Sequence, residues 1–397
     1  MHRQTLLSGM RVLDLSRYLP GPYATLRLAD MGADVVKVEE PKAGDPLRHL
    51  PPTGEKNGFL FQMINRNKRS LALDYRRPEG QELLRRLVVE ADVVVESFRP
   101  GVMASWGLDA ATLTQINPSL IYCSVTGYGQ EGKMAQMAGH DLNYNALTGV
   151  LDGVGRLGEP PGIPSVQIAD LAGGLAASEQ IMAAWVHRLQ TGEGTVLDIS
   201  MVDVLYGWQA YALSLQQSGH PVSRGNHVLG GGVVGYNLYE TADNQYMALG
   251  ALEPKFWNRF ADAVNRPEWK ERGLTPIVAD PDLYREVQAL FRSRTREEWT
   301  RIGREADCCL TPVFSLSEAV DSRLAKDRRA VFSERKMPST LLPNGGTLRE
   351  EGPGPQVASA PRLGEHTEER LAEAGCSQEE IARLVREKVI SGGVNPG

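Results

Sequence analysis

Cysteine is scarce in this chain, with four residues among 397. Their spacing fits neither a zinc site nor a disulfide framework, and no clustered metal ligands are evident, so no metal is predicted. We interpret the adjacent pair in DCCLTPV as core residues. Because no disulfide is expected, a reducing cytoplasm is the simplest location for the protein. The cysteines are Cys123, Cys308, Cys309 and Cys376.

Long apolar runs are missing as well. The N-terminal segment 1–24 has no apolar stretch long enough for a signal peptide or a membrane span, and no other segment reaches spanning length. We therefore expect no membrane partner. The net charge of -6 and the sequence pI near 5.8 argue against nucleic acid as the main partner.

Several well-known site motifs are absent. The turn after the first predicted strand reads SRYLPGP, which lacks the GxGxxG pattern of dinucleotide-binding folds. The chain also has no Walker A sequence, no GxSxG elbow and no HExxH. These absences disfavour NAD enzymes, P-loop NTPases, α/β-hydrolases and zincins.

The first half of the chain alternates strand-like and helix-like segments. This rhythm predicts an α/β fold with a parallel, Rossmann-like sheet and helices on both of its faces. The segments with this pattern are strands at 11–15, 34–39, 70–75, 92–97, 119–125 and 195–203, and helices at 22–32, 78–91 and 170–192.

A change of rhythm after residue 225 predicts a second, smaller α+β domain. YNLYET and QYMALG form a predicted hairpin, and helical patterns follow them. The segment 334–362 is rich in Pro and Gly and is predicted to be an extended return linker. The resulting divisions are 1–204 for the first domain, 205–225 for a helical linker, 226–333 for the small domain, and 363–397 for a C-terminal segment.

Two basic clusters lie beside predicted strands. Arg66 and Lys68 come just before one strand, and Arg99 comes just after another. Ligands of open parallel sheets bind near the carboxyl ends of strands, so Arg99 is a candidate phosphate contact. A solvated basic turn is an equally good interpretation of either cluster.

The stretch GHDLNYNALTG, 139–149, places His140 between two glycines. Glycine permits close approach of a ligand to the backbone, which favours a functional histidine. Asp170 lies at the start of the longest predicted helix, where the helix dipole favours a carboxylate. Alternatively, His140 is structural and Asp170 is a plain helix cap, because the spacing by itself is a weak signal.

Several longer segments resemble family III CoA-transferases, the CaiB/BaiF superfamily, which includes the α-methylacyl-CoA racemases. The resemblance implies a large CoA-binding domain built from both chain ends, 1–204 and 363–397, and an interlocked homodimer. The segments that carry it are LPGPYATLRLADMGADVVKVEEP, NRNKRSLALD, VESFRPGVM, GYG, TGEGTVLDISMVD and PRLGEHT.

This superfamily contains two chemistries, and both use the position of Asp170. In the transferases that carboxylate attacks an acyl-CoA thioester and becomes a mixed anhydride, then an aspartyl-CoA thioester. In the racemases it exchanges the α-proton on one face, and the residue matching His140 works on the other face. GHDLNYNALTG and GALEPKFW look racemase-like, with Asp141 and Glu253 implied to support His140. We therefore expect a 2-methylacyl-CoA racemase, with a CoA-transferase as the alternative.

The resemblance also implies contacts with CoA, which enters as part of an acyl-CoA substrate; no separately bound cofactor is expected. Glu40 and Ser105 stand where a characterised type of racemase carries arginines near the CoA phosphates. The stretch KVEEPKAGDPLR therefore looks more like the transferases. The implied CoA contacts are Arg66, Lys68, Leu71, Ala72, Leu73, Ser97, Phe98, Arg99, Gly139 and Tyr144.

Overall fold

The computed structural model describes residues 5–52, 58–220, 222–328, 331–332, 337–338 and 358–392. Most of the predicted return linker, 334–362, therefore lies outside the described residues. The strands are β1 (Arg11–Asp14), β2 (Asp34–Glu39), β3 (Arg69–Leu73), β4 (Val93–Glu96), β5 (Ile121–Thr126), β6 (Thr195–Ser200), β7 (Tyr236–Glu240), β8 (Tyr246–Gly250), β9 (Leu310–Pro312), β10 (Val331–Phe332), β11 (Met337–Pro338) and β12 (Ile390–Ser391).

Helices connect these strands and cover the sheet. The helices are α1 (Pro20–Asp30), α2 (Phe59–Ile64), α3 (Pro78–Glu90), α4 (Val102–Ser105), α5 (Ala110–Ile116), α6 (Asp141–Leu147), α7 (Ile168–Thr191), α8 (Met201–Trp208), α9 (Ala210–Gln217), α10 (Pro254–Ala263), α11 (Pro281–Phe291), α12 (Arg296–Ala306), α13 (Leu316–Asp321), α14 (Arg323–Asp327), α15 (Thr367–Glu373) and α16 (Gln378–Arg386).

The large sheet has seven strands in the order β12-β3-β2-β1-β4-β5-β6. All neighbours are parallel except β12, which pairs antiparallel with β3. The predicted Rossmann-like sheet built from both chain ends is thus confirmed. The order of the six parallel strands reverses between β1 and β4, which opens a crevice at their carboxyl ends.

Hydrophobic side chains pack on both faces of this sheet, as expected for parallel strands covered by helices. One core cluster joins the sheet to α3, α5, α15 and α16. The other joins it to α1 and α7. Successive residues of β4 alternate between these two clusters, so the strand is a continuous valine run buried on both sides.

A second compact unit comprises 145–166 and 208–324, while the first comprises 1–144, 167–207 and 325–397. The second unit contains the antiparallel sheet β7-β8-β9 and helices α10 to α12. This agrees with the expected smaller α+β domain. Its core is aromatic, with Trp257, Phe260, Trp269, Phe291 and Trp299 all buried.

Two local predictions need correction. The strand predicted at 195–203 ends at Ser200, whose hydroxyl accepts the backbone N–H of Asp203 at 3.2 Å and so helps to begin α8. Of the cysteine pair interpreted as core, Cys308 is buried but Cys309 is exposed. A left-handed backbone at Cys309, with φ of 56°, turns its side chain outward.

Candidate active site

Asp170 lies in the first turn of α7, in the first unit of the chain. The residue preceding α7, Gln167, provides no side-chain cap. Asp141 supplies one instead, because its Oδ1 accepts the backbone N–H groups of Ala169 at 2.6 Å and Asp170 at 3.2 Å. A carboxylate at this end of a helix satisfies free donors and complements the helix dipole.

His140 immediately precedes Asp141 and the helix α6. Its backbone N–H donates to the side-chain oxygen of Asn143 at 3.0 Å, and its carbonyl accepts the backbone N–H of Asn143 at 2.8 Å. The imidazole side chain is exposed. Since Asp141 contacts the backbone of Asp170, the fold brings the two sequence-predicted acid/base segments together.

Burial and a neighbouring charge change the acidity of Asp170. Burial raises the pKa of its carboxyl group to about 7, and the nearby carboxylate of Asp141 adds to the increase. At neutral pH the group is therefore divided between its protonated and ionised forms. That division suits a residue that must both take and give a proton.

Tyr144 lies close enough to Asp170 for their charges to interact. Its hydroxyl donates to the carbonyl oxygen of Gly139 at 2.7 Å, and its ring meets that of Tyr128 edge-on at 5.2 Å. Burial raises the pKa of Tyr144 to about 12, with Tyr128 and Asp170 contributing. A Cβ atom on Gly127 or Gly139 would lie 2.4 or 2.6 Å from the Tyr144 ring, so a side chain at either position would force that ring to move.

Sequence analysis assigns no separate role to Gly127 and Tyr128. Both belong to the GYG turn after β5, which served only as a landmark of the family resemblance. The feature that could have indicated them is a glycine next to an aromatic residue at the carboxyl end of a strand, because ligands bind parallel sheets at that edge.

The predicted contacts after β4 lie at the crevice between β1 and β4. The Ser97 hydroxyl accepts the backbone N–H of Arg17 at 3.0 Å. Phe98 packs edge-on against Tyr75 and Trp106, with ring centroids 6.0 and 5.2 Å away. The guanidinium group of Arg17 lies 5.0 Å from the Phe98 ring.

Arg99 is exposed on the same turn. Arg17 and Tyr75, which the sequence did not suggest as site residues, are brought to this turn from two other strand ends. The Arg17 guanidinium donates to the Tyr75 hydroxyl at 2.6 Å.

The three predicted contacts Leu71, Ala72 and Leu73 are fully buried within β3. The backbone N–H of Ala72 donates to the Thr367 hydroxyl at 3.0 Å, so their surroundings are those of a strand interior. Their assignment to CoA binding stays a prediction.

The residues that replace the expected arginines occupy different settings. Glu40 forms an ion pair with Arg76 at 3.2 Å, so a cation lies beside this position although the residue itself is acidic. Ser105 is exposed, and its hydroxyl donates to the carbonyl of Val102 at 2.7 Å.

Arg66 and Lys68 lie in buried ion pairs. The Arg66 guanidinium donates to the Asp30 carboxylate at 2.5 Å. The Lys68 ammonium lies 3.0 Å from the Asp14 carboxylate and also donates to the Thr25 hydroxyl at 2.8 Å. A CoA phosphate would have to displace these partners, so the surroundings of both cations favour a structural task over the predicted contact.

Glu253 belongs to the second unit, where it is exposed and precedes α10. Its predicted support of His140 stays a prediction. In the part of the chain that the structure describes, no group of three or more His, Cys, Asp or Glu side chains could hold a metal ion. None of the helices described there is long and apolar enough to cross a membrane.

Comparisons with known proteins point to one family. The profile described as CoA-transferase family III matches residues 7–367. The alpha-methylacyl-CoA racemase of Mus musculus is 37% identical over 394 residues, which cover 97% of each chain. The succinyl-CoA:glutarate CoA-transferase of Mus musculus is 30% identical over 388 residues, which cover 92% of this chain and 86% of the relative.

A solved structure shares the architecture. The crystal structure of a CAIB/BAIF family protein from Brucella suis aligns with a TM-score of 0.80 and 29% sequence identity. The alignment covers 94% of this chain and all of the other. The similarity therefore includes both units described above.

Proposed function

Because this chain belongs to CoA-transferase family III, we propose that it is an acyl-CoA racemase that inverts the α-carbon of a 2-methylacyl-CoA. The observation that carries the proposal is the contact from Asp141, the neighbour of His140, to the backbone N–H of Asp170 at 3.2 Å. That contact holds two candidate acid/base residues at one site.

In the proposed reaction, His140 and Asp170 act on opposite faces of the α-carbon. One of them removes the α-proton, and the electron pair of the C–H bond moves into the thioester carbonyl to form an enolate. The other then donates its proton to the opposite face, which inverts the carbon. The pKa of Asp170 near 7 supports this, since the same group must serve as base in one direction and as acid in the other.

The similarities also favour the racemase over the transferase. Racemases of Mus musculus and Homo sapiens share 37% and 36% of their residues with this chain. A histidine followed by a helix-capping aspartate has a clear task in two-base proton transfer. Attack by a nucleophilic carboxylate does not by itself require that histidine.

Deuterium incorporation tests the proposal. The full-length protein is incubated with one enantiomer of a 2-methylacyl-CoA in D2O, without any acceptor acid. We expect α-deuterium to appear together with inverted configuration. His140→Gln should lower the rate of inversion by roughly 10²- to 10⁴-fold, because one of the two proton carriers is lost.

The alternative is a CoA-transferase, which the 30% identity to a succinyl-CoA:glutarate CoA-transferase supports. An Asp170 oxygen would then bond to the acyl carbon while the C–S bond breaks and CoA leaves as the thiolate. No exchange in D2O, together with hydroxylamine-sensitive transfer of CoA to an added carboxylate, would replace the racemase with this reaction.

We further propose that the protein acts in the cytoplasm as an interlocked homodimer without a separately bound cofactor. Exposed apolar side chains on α7, including Leu175, Val186 and Leu189, support a covering partner chain. We expect the mass measured by light scattering to be twice the 43.5 kDa of one chain. A monomer at all concentrations would contradict the proposed assembly.

A further inference from the structure

Glu96 is a buried carboxyl group that the proposed chemistry does not use. It is the last residue of β4, beside the crevice between β1 and β4, and its exposed fraction is 3%. Burial raises its pKa to about 7, and the charge of Asp198 adds to this. The Ser124 hydroxyl and the Phe98 N–H act in the opposite direction. None of the cations in the described ranges is among the groups that shift it.

The Glu96 carboxyl holds the turn that follows it. Its Oε2 accepts the backbone N–H of Phe98, two residues on, at 2.7 Å. The same turn presents Ser97, whose hydroxyl accepts the Arg17 N–H, and the exposed Arg99. One buried side chain therefore fixes the segment that supplies three of the predicted CoA contacts.

A cavity of about 270 Å³ gives water a route to this carboxyl group. The amide nitrogen of Gln130, one of the residues lining the cavity, is buried and has no hydrogen-bond partner among the described residues. Glu96 can therefore exchange a proton without unfolding of the strand. The titratable and charged groups around it are Tyr122 and Cys123 of β5, Asp198 of β6, Asp109 before α5, and Arg99 of its own turn.

We propose that Glu96 is a positioning residue for the CoA-binding turn Ser97–Phe98–Arg99, and that the turn holds CoA best when Glu96 is ionised. A hydrogen bond to an ionised acceptor is roughly twice as strong as one to a neutral acceptor. Protonation of Glu96 weakens the bond from Phe98 and loosens the turn. The inference rests on the proposed acyl-CoA function and adds a pH dependence of binding, separate from the chemical step.

Calorimetric titration of CoA into the full-length protein, repeated at several pH values, tests this directly. In the wild type we expect the Kd to rise about fivefold between roughly pH 8 and pH 6, beyond any change shared by all variants. Glu96→Gln, which cannot ionise, should lose this protein-specific slope. Glu387→Gln, which removes an exposed carboxylate outside the turn and the active site, should keep it.

Two further substitutions move the transition in opposite directions and do not remove Glu96. Ser124→Ala deletes a hydrogen bond that stabilises the ionised form, so the weakening of binding should shift to higher pH. Asp198→Asn removes a like charge and should shift it to lower pH. These variants keep the test decisive if Glu96→Gln does not fold.

The outcomes separate the two proposals. The role of Glu96 is wrong if CoA binds but the slope survives in Glu96→Gln, or if Ser124→Ala and Asp198→Asn do not shift the transition. The acyl-CoA function stands in either case. If the wild type does not bind CoA at any pH, the proposed function fails as well.

Discussion

At the scale of single residues, the chemistry depends on how one carboxyl group is surrounded. The carboxyl group of an aspartate is normally a stronger acid, but burial and the charge of Asp141 raise the pKa of Asp170 to about 7. An exposed aspartate would be almost entirely ionised at that pH and would be a poor proton donor. The environment therefore makes Asp170 suitable for acid catalysis as well as base catalysis.

The pH dependence of the rate follows from this shift. A two-base racemase works only when His140 and Asp170 share a single proton, in either arrangement. We therefore expect bell-shaped kcat/KM profiles with the same two apparent pKa values for both enantiomers. Initial rates over a pH series will check this. A profile that rises through about pH 7 and then stays flat would instead indicate an ionised Asp170 acting as a nucleophile.

At the scale of elements, the start of one helix organises the site. The helix α7 lacks a cap from its own preceding residue and takes one from Asp141, 28 positions before Ala169. The same carboxylate is thus a helix cap, a neighbour of His140 and a charge that affects Asp170. Removing its charge and removing its hydrogen bonds should have separable effects.

Two substitutions of Asp141 separate them. Asp141→Asn keeps an acceptor oxygen, so stability should change little, while the activity profile moves to lower pH because a like charge near Asp170 is lost. Asp141→Ala should also lower the free energy of unfolding by about 1 kcal/mol.

Urea unfolding and pH–rate profiles are the measurements. The matched control is Ser377→Ala, which removes the cap of α16 and should cost a similar free energy without moving the profile. A stability loss in Asp141→Ala with no change in the profile of either variant would contradict the proposed coupling.

At the scale of the whole molecule, buried charges connect the strands that form the crevice. Lys68 before β3 reaches the Asp14 carboxylate at the end of β1, and Lys37 of β2 reaches Asp45 at 2.9 Å. Burial alone would raise the pKa of Asp14, but Lys37 and Lys68 outweigh it and hold the pKa well below its usual value.

Breaking one pair should destabilise the first unit strongly. Lys68→Met leaves a buried carboxylate short of a partner and should cost about 3–5 kcal/mol in urea unfolding. Arg383→Met removes an exposed helical pair in the same unit and should cost less than about 0.5 kcal/mol. Similar losses of unfolding free energy in both variants would mean that the buried pair contributes no more to stability than the exposed one.

The ionised Asp14 also sets an acid limit. Its folded pKa is depressed, so its contribution to stability is present above its unfolded pKa and is lost as the pH falls. The free energy of unfolding of the wild type should therefore decrease as the pH is lowered past about 4.

Much of this architecture was predictable because it depends on local patterns. Runs such as DVVVES and SLIYCSV predict buried strands, and the intervening amphipathic segments predict the helices that cover them. The segments of His140 and Asp170 could likewise be selected, because glycine flanks and helix starts are visible along the chain.

What only the tertiary structure decided is which charges meet and which groups are buried. The sequence shows Arg66 and Lys68 as a basic cluster, but their carboxylate partners lie 36 and 54 positions away. The same limit applies to Asp141, Asp170 and Glu96. Their identities are printed in the chain, yet their acidity comes from burial and from neighbours that only the folded strands and helices bring within reach.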